Sequence, residues 1–195
     1  MVHATVAEGI YIVGGPTISD ELDGLVLLVQ GSDACALIGM GAGRSLHALV
    51  RNILELGIGI SRLRYAVVPI PDPCIAGGCK QLKEMLPHIM IAAPGDIARL
   101  LRNGIDYLGR ESYDPCPVSL ETEQVDLGGV NLRLIKVREN AYAVLCREVM
   151  LLRSVEDLIH IISQIRELKV SRICFFYETE CISVKQVIAS AEGRG

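Results

Sequence analysis

Apolar runs and amphipathic stretches alternate along the chain, and their spacing predicts its secondary structure. Three apolar runs stand close together near the start and predict strands at Ile10–Gly15, Gly24–Gln30 and Ala34–Ile38. The segments between these runs are too short to hold helices, so the three strands are expected to form an antiparallel meander. A helix from Ser45 to Leu56 follows, because its apolar positions recur every three or four residues.

The rest of the chain continues with strands and helices in turn. The predicted strands are Arg64–Val68, His88–Ala93, Glu123–Leu127, Asn131–Val137, Ala141–Cys146, Glu148–Leu152 and Arg172–Tyr177. The predicted helices are Gly78–Leu86, Ile97–Arg102, Ser154–Leu168 and a last helix that begins at Ser183 with a capping box. Two successive groups of strands, each followed by helices, indicate a single α/β domain spanning residues 1–195.

Two of these helices carry more detailed predictions. Asp96 stands just before Ile97 and is the expected N-cap of the helix that begins there, and Ser154 is the expected N-cap of its own helix. The apolar side of the helix Ser154–Leu168 is predicted to face the core, and it comprises Val155, Leu158, Ile159, Ile162 and Ile165.

Composition excludes several classes of protein. Half of the 195 residues are hydrophobic and 22% are charged, which is typical of a globular protein. A net charge of −4, with two Phe and no Trp, argues against nucleic-acid binding. No apolar run is long enough to span a membrane and no signal peptide is recognisable, so a cytoplasmic location is expected. A mean hydropathy of +0.38 predicts a homodimer or larger assembly.

The cysteines and histidines do not form a recognisable metal or disulfide pattern. Seven cysteines at irregular spacing argue against a disulfide framework. Three of them lie in apolar runs and are predicted to be small core residues: Cys35, Cys146 and Cys174. None of the four histidines is spaced as a metal pair, and all are predicted at the surface or its boundary: His3, His47, His88 and His160.

The segment from Val67 to Gly78 is the most informative part of the sequence. It reads Val-Val-Pro-Ile-Pro-Asp-Pro-Cys-Ile-Ala-Gly-Gly and joins a predicted strand to a predicted helix. Its three alternating prolines hold the backbone extended, because each ring fixes φ and restricts the residue before it. The two glycines allow a tight turn into the helix. Such loops at the ends of strands are where α/β proteins often carry their chemistry.

This proline loop resembles the signature loop of the metallo-β-lactamase superfamily, in which a strand ends in Thr-His-x-His-x-Asp-His and continues through x-Gly-Gly into a helix. Two earlier segments are similar to the start of the same domain: G-I-Y-I-V-G-G-P from Gly9 and A-L-I-G-M-G-A-G-R-S from Ala36, with Gly39 at the usual aspartate. The resemblance implies a four-layer αββα sandwich with a trimmed C-terminal half. In active members it implies a dinuclear metal site for hydrolysis.

The positions that hold metal in the superfamily carry other residues in this chain. When the loop is aligned on its paired glycines, the resemblance places four of these positions at Ile70, Asp72, Cys74 and Ile75. The order of the later elements places two more at Ser154 and Glu178. The turn after the strand Asn131–Val137 also lacks the family histidine. Isoleucine offers no atom that could bind a metal. The resemblance therefore implies a degenerate member without bound zinc or iron, and no cofactor is expected.

Two functions follow from this interpretation. The favoured one is a non-catalytic binding or regulatory protein that recognises a protein or a small molecule. The alternative is an ester or thioester hydrolase with a rebuilt site. Its metal or nucleophile would come from Asp72, Cys74, Cys79 and Glu178. What separates the two is whether these side chains converge on open space or lie beneath the isoleucines. Tyr107 and Tyr113 are candidate residues lining the approach, although the favoured interpretation is that they cover the edge of the core beneath a loop.

Overall fold

The chain folds into two β-sheets that face each other, with helices on both outer faces. The computed structural model describes residues 4–104, 115–178 and 181–186. The helices within these ranges are α1 (Leu46–Glu55), α2 (Pro73–Ala76), α3 (Cys79–Met85), α4 (Gly95–Asn103) and α5 (Val155–Glu167), with a 3-10 turn at Ile60–Arg62. None of the described helices is both long enough and apolar enough to cross a membrane.

The first sheet is built from the first half of the chain, with its strands side by side in sequence order. They are β1 (Ala4–Ala7), β2 (Ile10–Gly14), β3 (Val26–Gln30), β4 (Cys35–Ile38), β5 (Leu63–Val67), β6 (Met90–Ala93) and β7 (Leu120–Glu121). β1 to β4 pair antiparallel, as the short connections predict. β4 to β7 pair parallel, because helices now connect one strand to the next.

The second sheet is built from the second half of the chain. Its strands are β8 (Gln124–Asp126), β9 (Asn131–Arg138), β10 (Ala141–Cys146), β11 (Val149–Leu152), β12 (Arg172–Phe175) and β13 (Ile182–Ser183), adjacent in that order. All pairs are antiparallel except β11 with β12, which α5 connects. β9, β11 and β12 therefore run in the same direction and end at the same edge of the sheet.

Alternation along the central strands builds two apolar layers. On β10, Tyr142 and Val144 belong to the large core that contains residues of both sheets. Ala143 and Leu145, which alternate with them, belong to a smaller cluster beneath α5. Successive side chains of a strand point to opposite faces, so a strand covered on both faces is apolar throughout. This explains the uninterrupted apolar run that marked β10 in the sequence.

Within the described residues the predicted elements are present, with several differences. β1, β7 and β13 were not predicted, because they are edge or two-residue strands, and neither were the four-residue helix α2 and the 3-10 turn. Pro94, not Asp96, occupies the N-cap position of α4, and it makes no side-chain hydrogen bond there. The buried side of α5 is Leu158, Ile161 and Ile165, whereas Val155, Ile159 and Ile162 are 62%, 67% and 47% exposed. The buried side of α5 also holds Asp157, which is only 2% exposed and pairs with Arg138 of β9.

Two of the helix starts form the caps that the sequence predicted. Ser154 precedes α5, and its hydroxyl accepts a hydrogen bond from the backbone N–H of Asp157. Ser183 and Gln186 exchange hydrogen bonds: each side-chain oxygen accepts from the other's backbone N–H, at 3.2 and 2.9 Å. This is the capping box, which satisfies two N–H groups that have no acceptor inside the helix.

The irregular cysteine spacing argued against a disulfide framework, but two disulfides are present. Cys79 is bonded to Cys116, and Cys174 to Cys181. Cys174 is fully buried, as expected of a core residue, but its sulfur is bonded. Cys35 and Cys146 are buried free thiols, as predicted. The first pair is 37 residues apart and depends on how α3 meets a later loop, so spacing could not reveal it.

Candidate functional site

The proline loop leaves the end of β5 and enters α2 through a side-chain cap. Asp72 is the N-cap of α2, and its Oδ1 accepts a hydrogen bond from the backbone N–H of Cys74 at 2.9 Å. Pro73 occupies the first helical position, where its missing N–H costs nothing. The carboxylate at position 72 therefore has a structural role that does not require a metal.

The two isoleucines of the loop are buried. Ile70 and Ile75 are each 1% exposed. Ile75 packs so closely on its neighbours that a methyl group on Gly24 would stand 3.0 Å from its Cγ1. The backbone N–H of Met40 donates to the carbonyl of Ile75 at 2.8 Å, which joins this loop to the segment after β4. We call this closed region of Ile70, Ile75 and their contacts the cleft floor.

A buried carboxylate that sequence reasoning missed holds the glycine-rich segment against the cleft floor. Asp23 is 3% exposed and accepts hydrogen bonds from the hydroxyls of Ser19 and Ser45 and, at 2.7 Å, from the backbone N–H of Ala42. Gly41 has φ +68, and a Cβ there would come within 2.5 Å of Asp23 Oδ1. No local signal marks Asp23, because one of its partners is 22 residues away.

Tyr177 connects the end of β12 to the proline loop. Its hydroxyl donates a hydrogen bond to Asp72 Oδ2 at 2.6 Å. Burial of the hydroxyl, and then its bond to Asp72, raise the pKa of Tyr177 well above its ordinary value. The sequence interpretation chose Glu178, which is exposed and whose backbone N–H donates to Phe175. Tyr177, one residue earlier, is the side chain that reaches the loop.

Neither cysteine of the proposed rebuilt site is a reactive thiolate. Burial, followed by the nearby charge of Asp72, raises the pKa of Cys74, so its thiol stays protonated at neutral pH. Cys79 is bonded to Cys116 and has no free thiol. The side chain of Glu178 is exposed and forms no hydrogen bond with Asp72 or Cys74 among the described residues. Within those residues, no group of three or more His, Cys, Asp or Glu side chains could hold a metal ion.

An open pocket lies beside Tyr177, at the edge where β9, β11 and β12 end. Its volume is about 520 Å³, and its lining residues are Arg138, Arg153, Ser154, Val155, Glu156 and Tyr177. We call it the mouth pocket. Nε of Arg138 is 3.0 Å from Oδ1 of the buried Asp157, an ion pair without the alignment of a hydrogen bond. Ser154 and the turn at Arg138, both singled out from the sequence, thus meet in one pocket.

A second polar cluster, on another side of the loop, joins α4 to the second sheet. Asp96 accepts hydrogen bonds from the Tyr142 hydroxyl at 3.0 Å and from Lys136 Nζ at 3.1 Å. Burial disfavours its charge, but the hydrogen bonds, chiefly that from Lys136, outweigh burial and lower the pKa of Asp96. The backbone N–H of Tyr142 donates to the carbonyl of Pro69. Asp96 also accepts a hydrogen bond from the backbone N–H of Ile97 at 2.9 Å, but it is not the N-cap predicted, because α4 already begins at Gly95.

The histidines and the tyrosines predicted to line the approach can be placed only in part. His47, His88 and His160 are exposed, as predicted. His3, Tyr107 and Tyr113 lie outside the described residues.

Solved structures show which fold this arrangement is. A metallo-β-lactamase from Cronobacter sakazakii superposes with a TM-score of 0.72 at 18% identity, covering 100% of this chain and 87% of its own. The subclass B3 metallo-β-lactamase of Bradyrhizobium japonicum gives 0.73 at 15% identity, covering 90% and 77%. The chain has the metallo-β-lactamase fold. A β-lactamase from Chitinophaga pinensis gives 0.72 at 16% identity, again covering 90% and 77%.

The resemblance inferred from the proline loop is confirmed at the level of the fold, including its four layers. No protein-family model matches the chain, and no curated protein matches it in sequence. Sequence identities this low show only that the fold is shared. The residues that the resemblance assigned to the metal positions do not fit a pair of metal ions, because two are buried isoleucines and Asp72 is bonded to a backbone N–H and to Tyr177.

Proposed function

We propose that this protein is a metal-free, non-catalytic binding or regulatory protein built on the metallo-β-lactamase fold. The observation that carries the proposal is the burial of Ile70 and Ile75, each 1% exposed, at positions to which the resemblance assigns metal ligands. Isoleucine has no donor atom, and the space that a metal and its water would need is packed with apolar side chains. A hydrolase of this kind needs an open position for activated water, which a packed floor excludes.

A rebuilt hydrolase site is less well supported. A cysteine nucleophile acts as the thiolate and needs a lowered pKa, whereas the surroundings of Cys74 raise it. Cys79 is in a disulfide, and Glu178 is exposed to solvent. The alternative would therefore need a rearrangement of the loop and reduction of a disulfide before its residues could act together.

Metal content tests the proposal directly. Protein purified without chelators, incubated with excess zinc and desalted, is expected to retain substoichiometric zinc and iron by elemental analysis. One or two equivalents of tightly held metal would overturn the metal-free proposal and promote the hydrolase. A characterised metallo-β-lactamase carried through the same steps serves as the positive control, because it should retain its metal.

The assembly state and location are further proposals. The high mean hydropathy, +0.38, supports a homodimer or larger assembly, and sedimentation showing only monomer at micromolar concentration would contradict it.

The two disulfides weigh against the cytoplasmic location, because cytosolic thiols are kept reduced. Thiol titration of denatured, unreduced protein from its native cells decides: three of the seven cysteines react if both disulfides form, and all seven if neither does.

A further inference from the structure

The two disulfides differ in how far they are exposed. Cys79 and Cys116 are each 1% exposed, so their bond lies inside the core. Cys174 is fully buried, but its partner Cys181 is only partly buried. We propose that the Cys174–Cys181 disulfide is a redox-sensitive link that keeps the edge strand β13 on the second sheet, and that its reduction releases β13. This goes beyond the proposed function, because it does not depend on whether the protein binds a metal.

The redox-sensitive link joins two neighbouring strands at one end of their pairing. β12 and β13 run antiparallel, and Ile173 lies opposite Ile182. The next position in this register places Cys174 opposite Cys181, and their sulfurs are bonded. The bond therefore fixes β13 directly beside β12, at the end where the connection between the two strands begins.

The other described contacts of β13 are few. It is a two-residue strand at the edge of the described sheet, so β12 is its one neighbouring strand there. One residue beyond it, the backbone N–H of Val184 donates to the carbonyl of Ser171 at 2.9 Å. Ile182 and Val184 are partly buried against the apolar cluster beneath α5. A short strand with one partner and partial burial opens more readily than a central strand, because fewer contacts are lost when it leaves.

The covalent bond opposes this opening. It restricts the conformations that β13 can adopt once it has left the sheet, so the released state gains less entropy. Reduction removes the restriction and leaves the strand with its backbone pairing and its apolar contacts alone. The edge of the second sheet is therefore covered in the oxidised protein. In the reduced protein it is open, and β12 presents unpaired N–H and C=O groups.

Tyr177 keeps its place when β13 is released. Phe176, the residue before it, is fully buried, and its backbone N–H donates to the carbonyl of Leu152 at 2.9 Å. The carbonyl of Phe176 accepts from the backbone N–H of Leu25 at 2.6 Å. These bonds reach β11 and the segment before β3, and neither involves β13. The release is therefore local to the sheet edge and leaves the hydrogen bond from Tyr177 to Asp72 intact.

The reaction is a thiol–disulfide exchange with a dithiol reductant. A thiolate of the reductant attacks Sγ of Cys181, the more exposed residue; the S–S bond breaks, and Cys174 leaves as a thiolate that takes up a proton. The second thiolate of the reductant then attacks its own sulfur in the mixed disulfide, which displaces Cys181 as a thiolate that is protonated in turn. Two electrons pass to the cysteine pair, and the dithiol is oxidised to a disulfide.

Selective reduction of the oxidised full chain tests the redox-sensitive link. The protein is treated with graded dithiothreitol at neutral pH without denaturant, and free thiols are alkylated and mapped by mass spectrometry. Cys174 and Cys181 should be labelled about 10-fold faster than Cys79 and Cys116, because exchange depends on access to the sulfur. Equal or faster labelling of the buried pair would overturn the proposal, as would an unpaired Cys174 before any reductant is added.

Hydrogen exchange then measures whether β13 is released. In the selectively reduced protein the amides of residues 182–184 should exchange about 10-fold faster, whereas those of Phe176 and the first sheet should not change. Reoxidation should restore the slow exchange. Unchanged exchange at 182–184 would contradict the release of β13. Faster exchange throughout the first sheet would also contradict it, because the bond would then support the whole fold.

Two matched variants separate the bond from the reductant. Cys181→Ala cannot form the bond and should show the fast exchange at 182–184 with no reductant present. Cys146→Ala removes a buried free thiol of β10 in the same sheet and should leave exchange at 182–184 unchanged. The amides of the first sheet report whether each variant is folded. Equal acceleration in both variants, or none in Cys181→Ala, would overturn the redox-sensitive link.

Discussion

The cleft floor and the mouth pocket lie at the same edge of the sandwich and have opposite characters. The floor is apolar and closed: Ile70 and Ile75 are each 1% exposed. The mouth pocket is polar and open, with Arg138 and Arg153 in its lining. Tyr177 belongs to both, because its ring lines the pocket while its hydroxyl reaches Asp72 at 2.6 Å.

The difference shows how one scaffold supports two kinds of site. A metal site needs donor atoms on the floor, since the ions sit where the loop delivers its ligands. A binding pocket needs only groups around the opening, and those come from the ends of β9 and β11 and the start of α5. A floor that offers isoleucines at positions 70 and 75 is therefore compatible with an open pocket at the mouth. The predictions below test this division, starting with the largest expected effect.

Truncating the cleft floor should cost the most stability. Ile70→Ala and Ile75→Ala should each lower the free energy of unfolding by about 2–5 kcal/mol, because a buried large-to-small change loses apolar burial and leaves a cavity. Urea denaturation measures the loss. Ile162→Ala is the matched control, since Ile162 is 47% exposed and should cost under about 1 kcal/mol. A negligible loss in both floor variants would mean that the floor is open.

Restoring histidines to the floor should not restore a metal site. The double variant Ile70→His with Ile75→His should be less stable by about 1–3 kcal/mol for each imidazole, because each would be buried without hydrogen-bond partners. Elemental analysis after zinc loading should remain substoichiometric, since the family's other ligand positions are also changed. Stoichiometric zinc in this variant would show that the floor can still accommodate an ion.

Removing the hydrogen bond between Tyr177 and Asp72 should have a smaller effect on stability. Tyr177→Phe keeps the ring and removes the hydroxyl that donates to Asp72. A hydrogen bond to a charged group contributes about 1.5–3 kcal/mol, and partial exposure reduces this to about 1 kcal/mol. Urea denaturation at pH 7 measures the change. An unchanged stability would show that Asp72 is satisfied by its backbone bond to Cys74 and needs no tyrosine.

The same pair predicts a pH dependence. The folded-state pKa of Tyr177 is raised above its ordinary value of 10.0, first by burial and then by Asp72. A raised pKa means that the contribution of the hydroxyl is fully present below pH 10 and declines above it, because the unfolded chain releases its proton first. The stability gap between wild type and Tyr177→Phe should therefore shrink from pH 9 to pH 11. A constant gap would contradict the buried hydrogen bond.

Much of the fold could be predicted from local sequence patterns. On β9, buried Leu132 and Leu134 alternate with exposed Asn131 and Arg133, as expected of a half-buried strand. The proline loop, with the glycine-rich segments before it, indicated the metallo-β-lactamase fold. The site was predicted less well, because Tyr177 and not Glu178 reaches Asp72, and nothing pointed to Asp23. Both misses involve partners far apart in the chain.

The sequence by itself determined the order of the elements, the caps at Ser154 and Ser183 and the absence of donor atoms at positions 70 and 75, because each depends on residues a few positions apart. Only the tertiary structure decided which side of α5 is buried, which cysteines pair, and that Tyr177 meets a carboxylate 105 residues earlier. These outcomes depend on how sheets and helices pack against one another, and packing is a property of the whole chain.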